Sequence, residues 1–95
     1  MVIERLEFEV IAGRVEEFVK FVQDTRGILD NSKGCRAFQY GRGVENPGKV
    51  ILLVTWESIE AHTEAKKPAA YVEWSKKFAT FLGGRPAMEH FAVAG

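Results

Sequence analysis

Two histidines are the residues of this 95-residue chain best suited to acid–base chemistry. An imidazole exchanges a proton near neutral pH, which suits removal of a proton from a phenol or an enol. His62 is the stronger candidate for a general base, and the alternative is a partly exposed helix histidine without a chemical role. His90 lies on the last predicted strand, where it could line the same cavity or sit in a dimer interface.

Aromatic side chains are numerous enough to form an apolar cleft for a planar molecule. Tyr71, Trp74 and Phe78 recur at helical spacing, Trp56 ends an apolar run, and Tyr40 could contribute a hydroxyl. Such stripes belong to a hydrophobic core more often than to a ligand platform, so core packing is the alternative interpretation. The candidate substrate-binding residues are Tyr40, Trp56, Tyr71, Trp74, Phe78 and His90.

The sequence offers no credible site for a metal or a cofactor. The two histidines are far apart along the chain, and no spaced set of ligands matches a metal-binding motif. Cys35 is the single cysteine and has no Cys-x-x-Cys partner, so it is expected to be a buried structural thiol. Gly41-Arg42-Gly43 precedes a hairpin rather than a helix and is no phosphate-binding loop.

Charge and composition exclude several classes of partner. Thirteen basic residues balance thirteen acidic ones, so no long-range field attracts nucleic acid or an anionic membrane. No apolar stretch approaches the roughly 20 residues that span a bilayer, and the first residues do not have a signal-peptide pattern. A single cysteine cannot form an internal disulfide, which favours a reducing compartment, and we expect the protein to be cytoplasmic.

The hydrophobic pattern predicts one domain, residues 1–95, with an α+β, ferredoxin-like β-α-β-β-α-β order. Strands are predicted at 2–10, 35–42, 50–57 and 86–93. Helices are predicted at 15–31, 58–66 and 68–82. Gly27 weakens the end of the first helix by about 1 kcal/mol relative to alanine, so its last turns are expected to be loose.

The run at 50–58 is apolar on both of its alternating faces, which predicts an interior strand of a four-stranded antiparallel sheet. Two helices cover only one face of such a sheet. We place Leu52, Val54 and their neighbours on the uncovered face, where exposure to water is unfavourable. The sequence therefore predicts a homodimer that packs through the open sheet face.

Four features of the chain carry a resemblance to a known family. An early strand leads into Gly-Arg-Val-Glu-Glu-Phe at 13–18, and Gly-Cys at 34–35 opens the second strand. Asn-Pro-Gly at 46–48 forms the hairpin, and Leu-Val-Thr-Trp-Glu-Ser at 53–58 leads into Ile-Glu-Ala at 59–61. Together they span nearly the whole chain and resemble the antibiotic biosynthesis monooxygenase family of dimeric α/β-barrel proteins. The Trp-Glu-Ser element is the most specific of them.

The resemblance implies a ferredoxin-like protomer, a homodimer that forms an α/β barrel, and a small-molecule pocket between sheet and helices. Known members oxidise electron-rich phenols or quinols with oxygen and use neither metal nor flavin. Other members cleave haem or isomerise small metabolites, and many have no established reaction, so the fold transfers with more force than the function.

Two departures from the family pattern bear on the chemistry. Members often carry a histidine a few residues before the proline that follows this helix. Counting back from Pro68 gives Glu64 or Ala65 at that place, whereas His62 lies about one turn earlier. The histidine's role therefore does not transfer directly.

The haem-cleaving branch uses an asparagine on the first strand, a tryptophan on the short helix and a histidine on the next helix. This chain has Glu4 and Glu7 on that strand, no tryptophan on the short helix, and Trp74 or Ser75 near the histidine position. Haem cleavage is therefore disfavoured.

Two functions remain open at this point. The first is a cofactor-independent monooxygenase, or a related small enzyme, that acts on an electron-rich aromatic or enolic metabolite with His62 as the base. The second is a non-catalytic dimeric module of the same fold that binds a small apolar ligand. An enzyme should direct His62 inward, whereas a silent module could leave it facing solvent.

Overall fold

A computed structural model describes the whole chain, residues 1–95. It contains four strands and four helices. In chain order they are β1 (Val2–Glu9), α1 (Val15–Thr25), α2 (Gly27–Asp30), β2 (Cys35–Arg42), β3 (Lys49–Trp56), α3 (Ile59–Ala65), α4 (Ala69–Ala79) and β4 (Ala87–Ala92). None of the helices is long and apolar enough to cross a membrane.

The four strands form one antiparallel sheet in the order β2-β3-β1-β4. This arrangement confirms the predicted ferredoxin-like α+β fold and the interior position of the third strand. The register also brings distant parts of the chain together on β1, one of the two interior strands. Glu4 of β1 pairs with Val54 of β3 on one side and with His90 of β4 on the other.

The core lies between the helices and one face of the sheet. Even-numbered residues of β1 and β3 point toward the helices because successive side chains of a strand alternate between faces. The rings of Phe8 of β1, Phe18 of α1 and Phe78 of α4 pack edge to face, with ring centroids 5.2–5.4 Å apart. Trp56 at the end of β3 is completely buried. These aromatic contacts fix the helices on the sheet.

The assignment of Leu52 and Val54 to the open face was wrong. Both side chains are almost fully buried on the helix-covered face, since Leu52 pairs with Leu6 and shares its parity with the core residue Phe8. The open face of β3 instead carries Ile51 and Leu53, which are half-buried. The case for a covering partner therefore rests on these two side chains and their neighbours.

Two helices end earlier than the sequence predicted. The helix expected at 15–31 is divided into α1 and α2 directly before Gly27, where a helix is weakest. The helix expected at 68–82 ends at Ala79, because backbone groups beyond it bond to the end of the first strand. Phe81 accepts a hydrogen bond from the Ile11 N–H at 2.9 Å, and Leu82 forms a β-bridge with Val10.

Gly34 marks a close approach between the start of β2 and α3. Its φ of +86° lies in the left-handed region, and a Cβ added there would be 2.7 Å from the Ala61 Cβ. Its carbonyl also accepts a hydrogen bond from the Glu57 N–H at 2.8 Å. Any side chain at position 34 would therefore be strained and would push α3 away from the sheet.

We expect Gly34→Ala to lower the free energy of unfolding by about 3 kcal/mol, because it adds a steric overlap to the cost of a left-handed alanine. Gly13→Ala is the matched control: its φ is +84°, but no atom lies within 4 Å of the added Cβ. It should cost only about 1 kcal/mol. Urea unfolding measures both, and Ala61→Gly should relieve part of the Gly34→Ala cost. Equal losses for the two alanine variants would contradict the steric argument.

Candidate functional site

A buried carboxylate lies on the helix-covered face of the central strand. Glu4 lies on the face of β1 whose other side chains are apolar, and it is only 8% exposed. Its Oε1 accepts a hydrogen bond from the Trp56 Nε1–H at 3.0 Å. Because a buried ionised group is costly unless it is hydrogen-bonded, this contact offsets part of the desolvation of Glu4.

His62 is the second ionisable group at this position. The Ser58 hydroxyl caps α3 by accepting a hydrogen bond from the Ala61 N–H at 3.1 Å, which fixes the first turn of the helix. The His62 ring then points to the sheet, where it is buried and stacks on Trp56 with centroids 4.9 Å apart and planes 13° apart. Its Nε2 lies 3.3 Å from Oε1 of Glu4.

His90 completes the group from the other side of β1. It lies opposite Glu4 in the register, and its Nε2 is 2.8 Å from Nδ1 of His62. His90 itself is half-buried on the edge strand β4. We refer to Glu4, Trp56, His62 and His90 as the acid–base cluster. Four separate elements of the fold contribute one side chain each.

The hydrogen-bond roles in the acid–base cluster follow from what each atom can donate. Glu4 Oε1 accepts a hydrogen bond from the Trp56 Nε1–H, and His62 Nε2, which lies 3.3 Å from the same oxygen, carries the proton of its ring when Glu4 is ionised. His62 Nδ1 is then an acceptor, and His90 donates to it through Nε2–H. Every contact is satisfied with both imidazoles neutral, so the arrangement does not require a charged histidine.

The pKa values of both buried groups favour their neutral forms. Burial lowers the pKa of His62 to about 4, and the positive charges of Lys66 and His90 act in the same direction. Burial also raises the pKa of Glu4, against the opposing effects of the Trp56 hydrogen bond and the charges of His90 and Lys66. His62 is therefore a neutral imidazole at physiological pH.

The helix α3 that carries His62 also forms one wall of a cavity of about 590 Å³, a volume within the range of small-molecule sites. The cavity is bounded by α2, the segment before β2, α3 and the start of α4. Its wall includes Ile28, Ser32, Lys33, Gly34, Glu57, Glu60, Ala61, Glu64, Ala65 and Tyr71. Neither histidine is among the lining residues. The candidate base is directed inward but lies behind the cavity wall.

Tyr71 lines the cavity and is also subject to the charge of Glu4. Its pKa is raised to about 12 by burial and by the negative charges of Glu4 and Cys35. The phenol is therefore a neutral hydrogen-bond donor at physiological pH. Because the charge of Glu4 acts on Tyr71, the protonation state of Glu4 changes the electrostatic environment of the cavity wall.

The remaining predicted site residues lie elsewhere. Trp74 donates a hydrogen bond from Nε1 to the Thr25 hydroxyl at 2.8 Å, and Phe78 belongs to the aromatic core. Tyr40 packs against Phe38 on β2, with ring centroids 5.8 Å apart. The structure thus brings together Trp56, His62 and His90 and places Tyr71 at the cavity. The other three candidates do not line the cavity, although Trp74 packs against Tyr71 with ring centroids 5.5 Å apart.

Sequence reasoning did not assign a role to Glu4, although a signal for it was present. In β1, positions 2, 6 and 8 are apolar and point to the core, and position 4 has the same parity. A carboxylate at such a position has to find partners inside the protein. A carboxylate on the face of β1 whose other side chains are apolar is therefore the sequence signal of a buried acid.

The acid–base cluster is not arranged as a metal site. No group of three or more His, Cys, Asp or Glu side chains could hold a metal ion. His62 lies between Glu4 and His90 and uses one ring nitrogen for each. The three groups therefore form a line rather than converging on a common point, as metal ligands would.

The fold and the cavity define a small α+β protein of the ferredoxin-like class with a pocket formed within one chain. The sequence profile described as antibiotic biosynthesis monooxygenase matches residues 1–77. This match covers most of the chain, and the chain belongs to the antibiotic biosynthesis monooxygenase family.

Relatives of known sequence or structure agree with this assignment. The chain is 30% identical to YczJ of Bacillus subtilis, a protein described as uncharacterized, over 96% of this chain and 97% of YczJ. A crystal structure from Bordetella bronchiseptica superposes with a TM-score of 0.89 at 24% identity, covering 98% of this chain and 96% of that one. SnoaB of Streptomyces nogalater, described as a cofactor-independent oxygenase, gives a TM-score of 0.86 at 14% identity, with 99% and 93% covered. Because these two structures are less than 25% identical in sequence to this chain, their similarity establishes the fold alone.

The two buried groups should affect the pH dependence of stability with opposite signs. Between pH 6.5 and about 4, His62 takes up a proton in the unfolded chain but not in the folded one, so acidification destabilises the protein. Glu4 takes up its proton at a higher pH when folded than when unfolded, so acidification stabilises the protein through this group.

We therefore expect the loss of unfolding free energy between pH 7 and pH 4.5 to be smaller in His62→Gln than in the wild type, by about 2 kcal/mol. The same loss should be larger in Glu4→Gln. Urea titrations at several pH values measure the slopes, with Glu45→Gln, which alters an exposed hairpin residue, as the control. Parallel slopes in all four proteins would contradict the assignment of these two groups.

Proposed function

We propose that this protein is a cofactor-independent monooxygenase that acts on an electron-rich aromatic or quinol-type metabolite. The observation that carries the proposal is the acid–base cluster beside a cavity large enough for such a molecule. Removal of a proton from a phenol or an enol gives an electron-rich anion that reacts with oxygen. One oxygen atom enters the product, and the other leaves as water with the two hydrogens that the substrate gives up.

The residues can be assigned to roles in this reaction. Tyr71 lines the cavity and is a neutral donor that could orient a hydroxyl or a carbonyl of the substrate. His62 does not line the cavity, so we propose that it acts as part of the acid–base cluster rather than by direct contact. Trp56 holds both Glu4 and the His62 ring in place. Tyr40, Trp74 and Phe78 support the fold around the site.

The relatives support the same chemistry by analogy. SnoaB shares the fold and is described as a cofactor-independent oxygenase. The family to which this chain belongs is named for monooxygenases of antibiotic biosynthesis. The choice of an electron-rich aromatic or quinol-type substrate rests on the family resemblance and on the aromatic side chains of the chain, of which Tyr71 lines the cavity.

A second candidate is a non-catalytic module that binds a small molecule in the same cavity. The observation that favours it is the position of the two imidazoles behind the cavity wall. In that case the acid–base cluster would only stabilise the fold. The two candidates differ in turnover, because both require an open cavity but only the enzyme consumes oxygen.

A cavity-filling substitution tests the site. We expect Ala65→Phe to reduce oxygen uptake with hydroquinone or anthrone probes at least about tenfold, because its ring would occupy the cavity that Ala65 lines. Thr63→Phe, on the exposed side of the same helix, should leave uptake unchanged. An oxygen electrode measures the rate, and mass spectrometry with labelled oxygen identifies the product. Ligand binding without oxygen uptake in the wild type would favour the non-catalytic module.

We also propose a homodimer that packs through the open sheet face. Ile3, Ile51 and Leu53 are half-buried on this face, and Phe91 beside them is 44% exposed. The apolar patch that these side chains provide is bordered by the ion pair of Arg5 and Glu7, since Leu53 lies opposite Arg5, Ile51 opposite Glu7, and Ile3 opposite Phe91. Covering the patch with the same patch of a second copy would remove it from water and would complete an α/β barrel.

The proposed dimer predicts a selective effect of charge on this face. Leu53→Arg should shift sedimentation at micromolar concentration from dimer to monomer, because two buried arginines would face each other across a self-complementary interface. Glu73→Arg, on the exposed side of α4, should remain dimeric. A wild-type protein that sediments as a monomer at these concentrations would overturn the proposed dimer.

A cytoplasmic location is part of the same proposal. Cys35 is the single cysteine, so the chain forms no internal disulfide. Such a chain is compatible with a reducing compartment.

A further inference from the structure

The acid–base cluster places three ionisable groups in a line from the interior to the edge of the sheet. Glu4 Oε1 contacts His62 Nε2 at 3.3 Å, and His62 Nδ1 contacts His90 Nε2 at 2.8 Å. Glu4 is almost fully buried, whereas His90 is half-buried on the edge strand β4. We propose that Glu4, His62 and His90 form a proton relay, in which Glu4 is the inner proton acceptor and His90 exchanges protons with solvent.

Both imidazoles can pass on a proton without storing it, because each has two ring nitrogens. In the starting state Glu4 is ionised and both rings carry their proton on Nε2. A proton from solvent binds His90 Nδ1, and the Nε2 proton of His90 moves to His62 Nδ1. The Nε2 proton of His62 then moves to Glu4 Oε1. One proton has entered, Glu4 is neutral, and both rings have changed from the Nε2–H to the Nδ1–H tautomer.

The surroundings favour transfer over a lasting charge on His62. The positive charges of Lys66, at the end of α3, and of His90, on β4, disfavour a positive charge on the His62 ring. Trp56 on β3 stacks on the ring and donates only to Glu4. The groups on the remaining elements, Cys35 of β2 and Tyr71 of α4, are weak acids whose pKa values burial raises, so both are neutral at physiological pH. A proton that reaches His62 is therefore best held by Glu4.

Run in the reverse direction, the relay returns a proton from Glu4 to solvent through His62 and His90, which would restore the ionised Glu4 in the proposed enzyme. Glu4 acts electrostatically on Tyr71, which lines the cavity, and His90 leads from Glu4 to the edge of the sheet. The use of the relay in catalysis rests on the proposed function. The existence of the relay does not rest on the proposed function, because the tautomers of the two histidines can be observed in the protein without substrate.

The experiment is a pH titration of the wild-type protein labelled with nitrogen-15 in histidine, followed by long-range nitrogen–proton correlation spectra. These spectra distinguish the two neutral tautomers and the doubly protonated ring. We expect both rings to be Nε2–H tautomers at high pH and to change together to Nδ1–H tautomers as Glu4 binds its proton. The relay is overturned if His62 becomes doubly protonated without a change of tautomer, or if the rings titrate independently.

Two variants show whether Glu4 is the inner end of the relay. In Glu4→Gln, the side-chain carbonyl can accept from Trp56 and His62 but cannot bind a proton, so His62 should remain the Nε2–H tautomer at every pH at which it is neutral. Glu45→Gln should retain the coupled change. Persistence of the change in Glu4→Gln would overturn the proposal, and the wild-type titration tests it even if this variant does not fold.

Activity distinguishes failure of the relay from failure of the proposed function. If the protein consumes oxygen, His90→Gln should lower kcat about tenfold or more and leave KM nearly unchanged, because solvent exchange is impaired but the cavity is intact. Coupled tautomers without any oxygen uptake would support the relay and contradict the enzyme. Oxygen uptake with independently titrating histidines would support the enzyme and overturn the relay.

Discussion

The burial of the Glu4 carboxylate is the constraint on which the site depends. An uncompensated buried charge costs several kcal/mol, so the fold has to provide donors to Glu4 or keep it neutral. Trp56 at the end of β3 donates its N–H to Glu4, and the capped first turn of α3 holds His62 Nε2 3.3 Å from the same carboxylate. The position of α3 on the sheet is therefore coupled to the charge of one residue on the central strand.

Much of the fold could be predicted from the sequence because periodicity and turn residues act locally. The apolar run at 50–58 indicated the interior strand, and Asn-Pro-Gly at 46–48 indicated the hairpin. The face of Leu52 was predicted wrongly, since alternation identifies two faces but not which one the helices cover. That choice is made by the register with β1 and by the packing of Phe8 against α1 and α4.

The site was less predictable because its contacts join residues far apart in the sequence. Glu4, His62 and His90 are brought together by the register of β1 with β4 and by the docking of α3. The sequence identified the two imidazoles as chemical groups but gave no reason to place them in contact. The aromatic stripe of α4 shows the same limit: Tyr71 and Phe78 share a helix, yet one lines the cavity and the other fills the core.

The position of His62 on α3 changes how a base could work in this chain. The place at which family members often carry a histidine corresponds here to Glu64 or Ala65, and both of these residues line the cavity. An imidazole at either position would face a bound molecule directly. His62 lies about one turn earlier and faces the sheet, so it meets Glu4 and His90 instead.

Proton exchange with a bound molecule then has to pass through the cavity wall. Tyr71 is the lining residue on which the charge of Glu4 acts, so the protonation of the buried acid affects the pKa of a group in the cavity wall. A base in contact with substrate would have to shed its proton into the same cavity. A base behind the wall, with a second imidazole at the sheet edge, separates the entry of substrate from the exit of its proton. In the proposed enzyme, the displaced histidine would therefore act through Glu4 and His90 rather than by contact with the bound molecule.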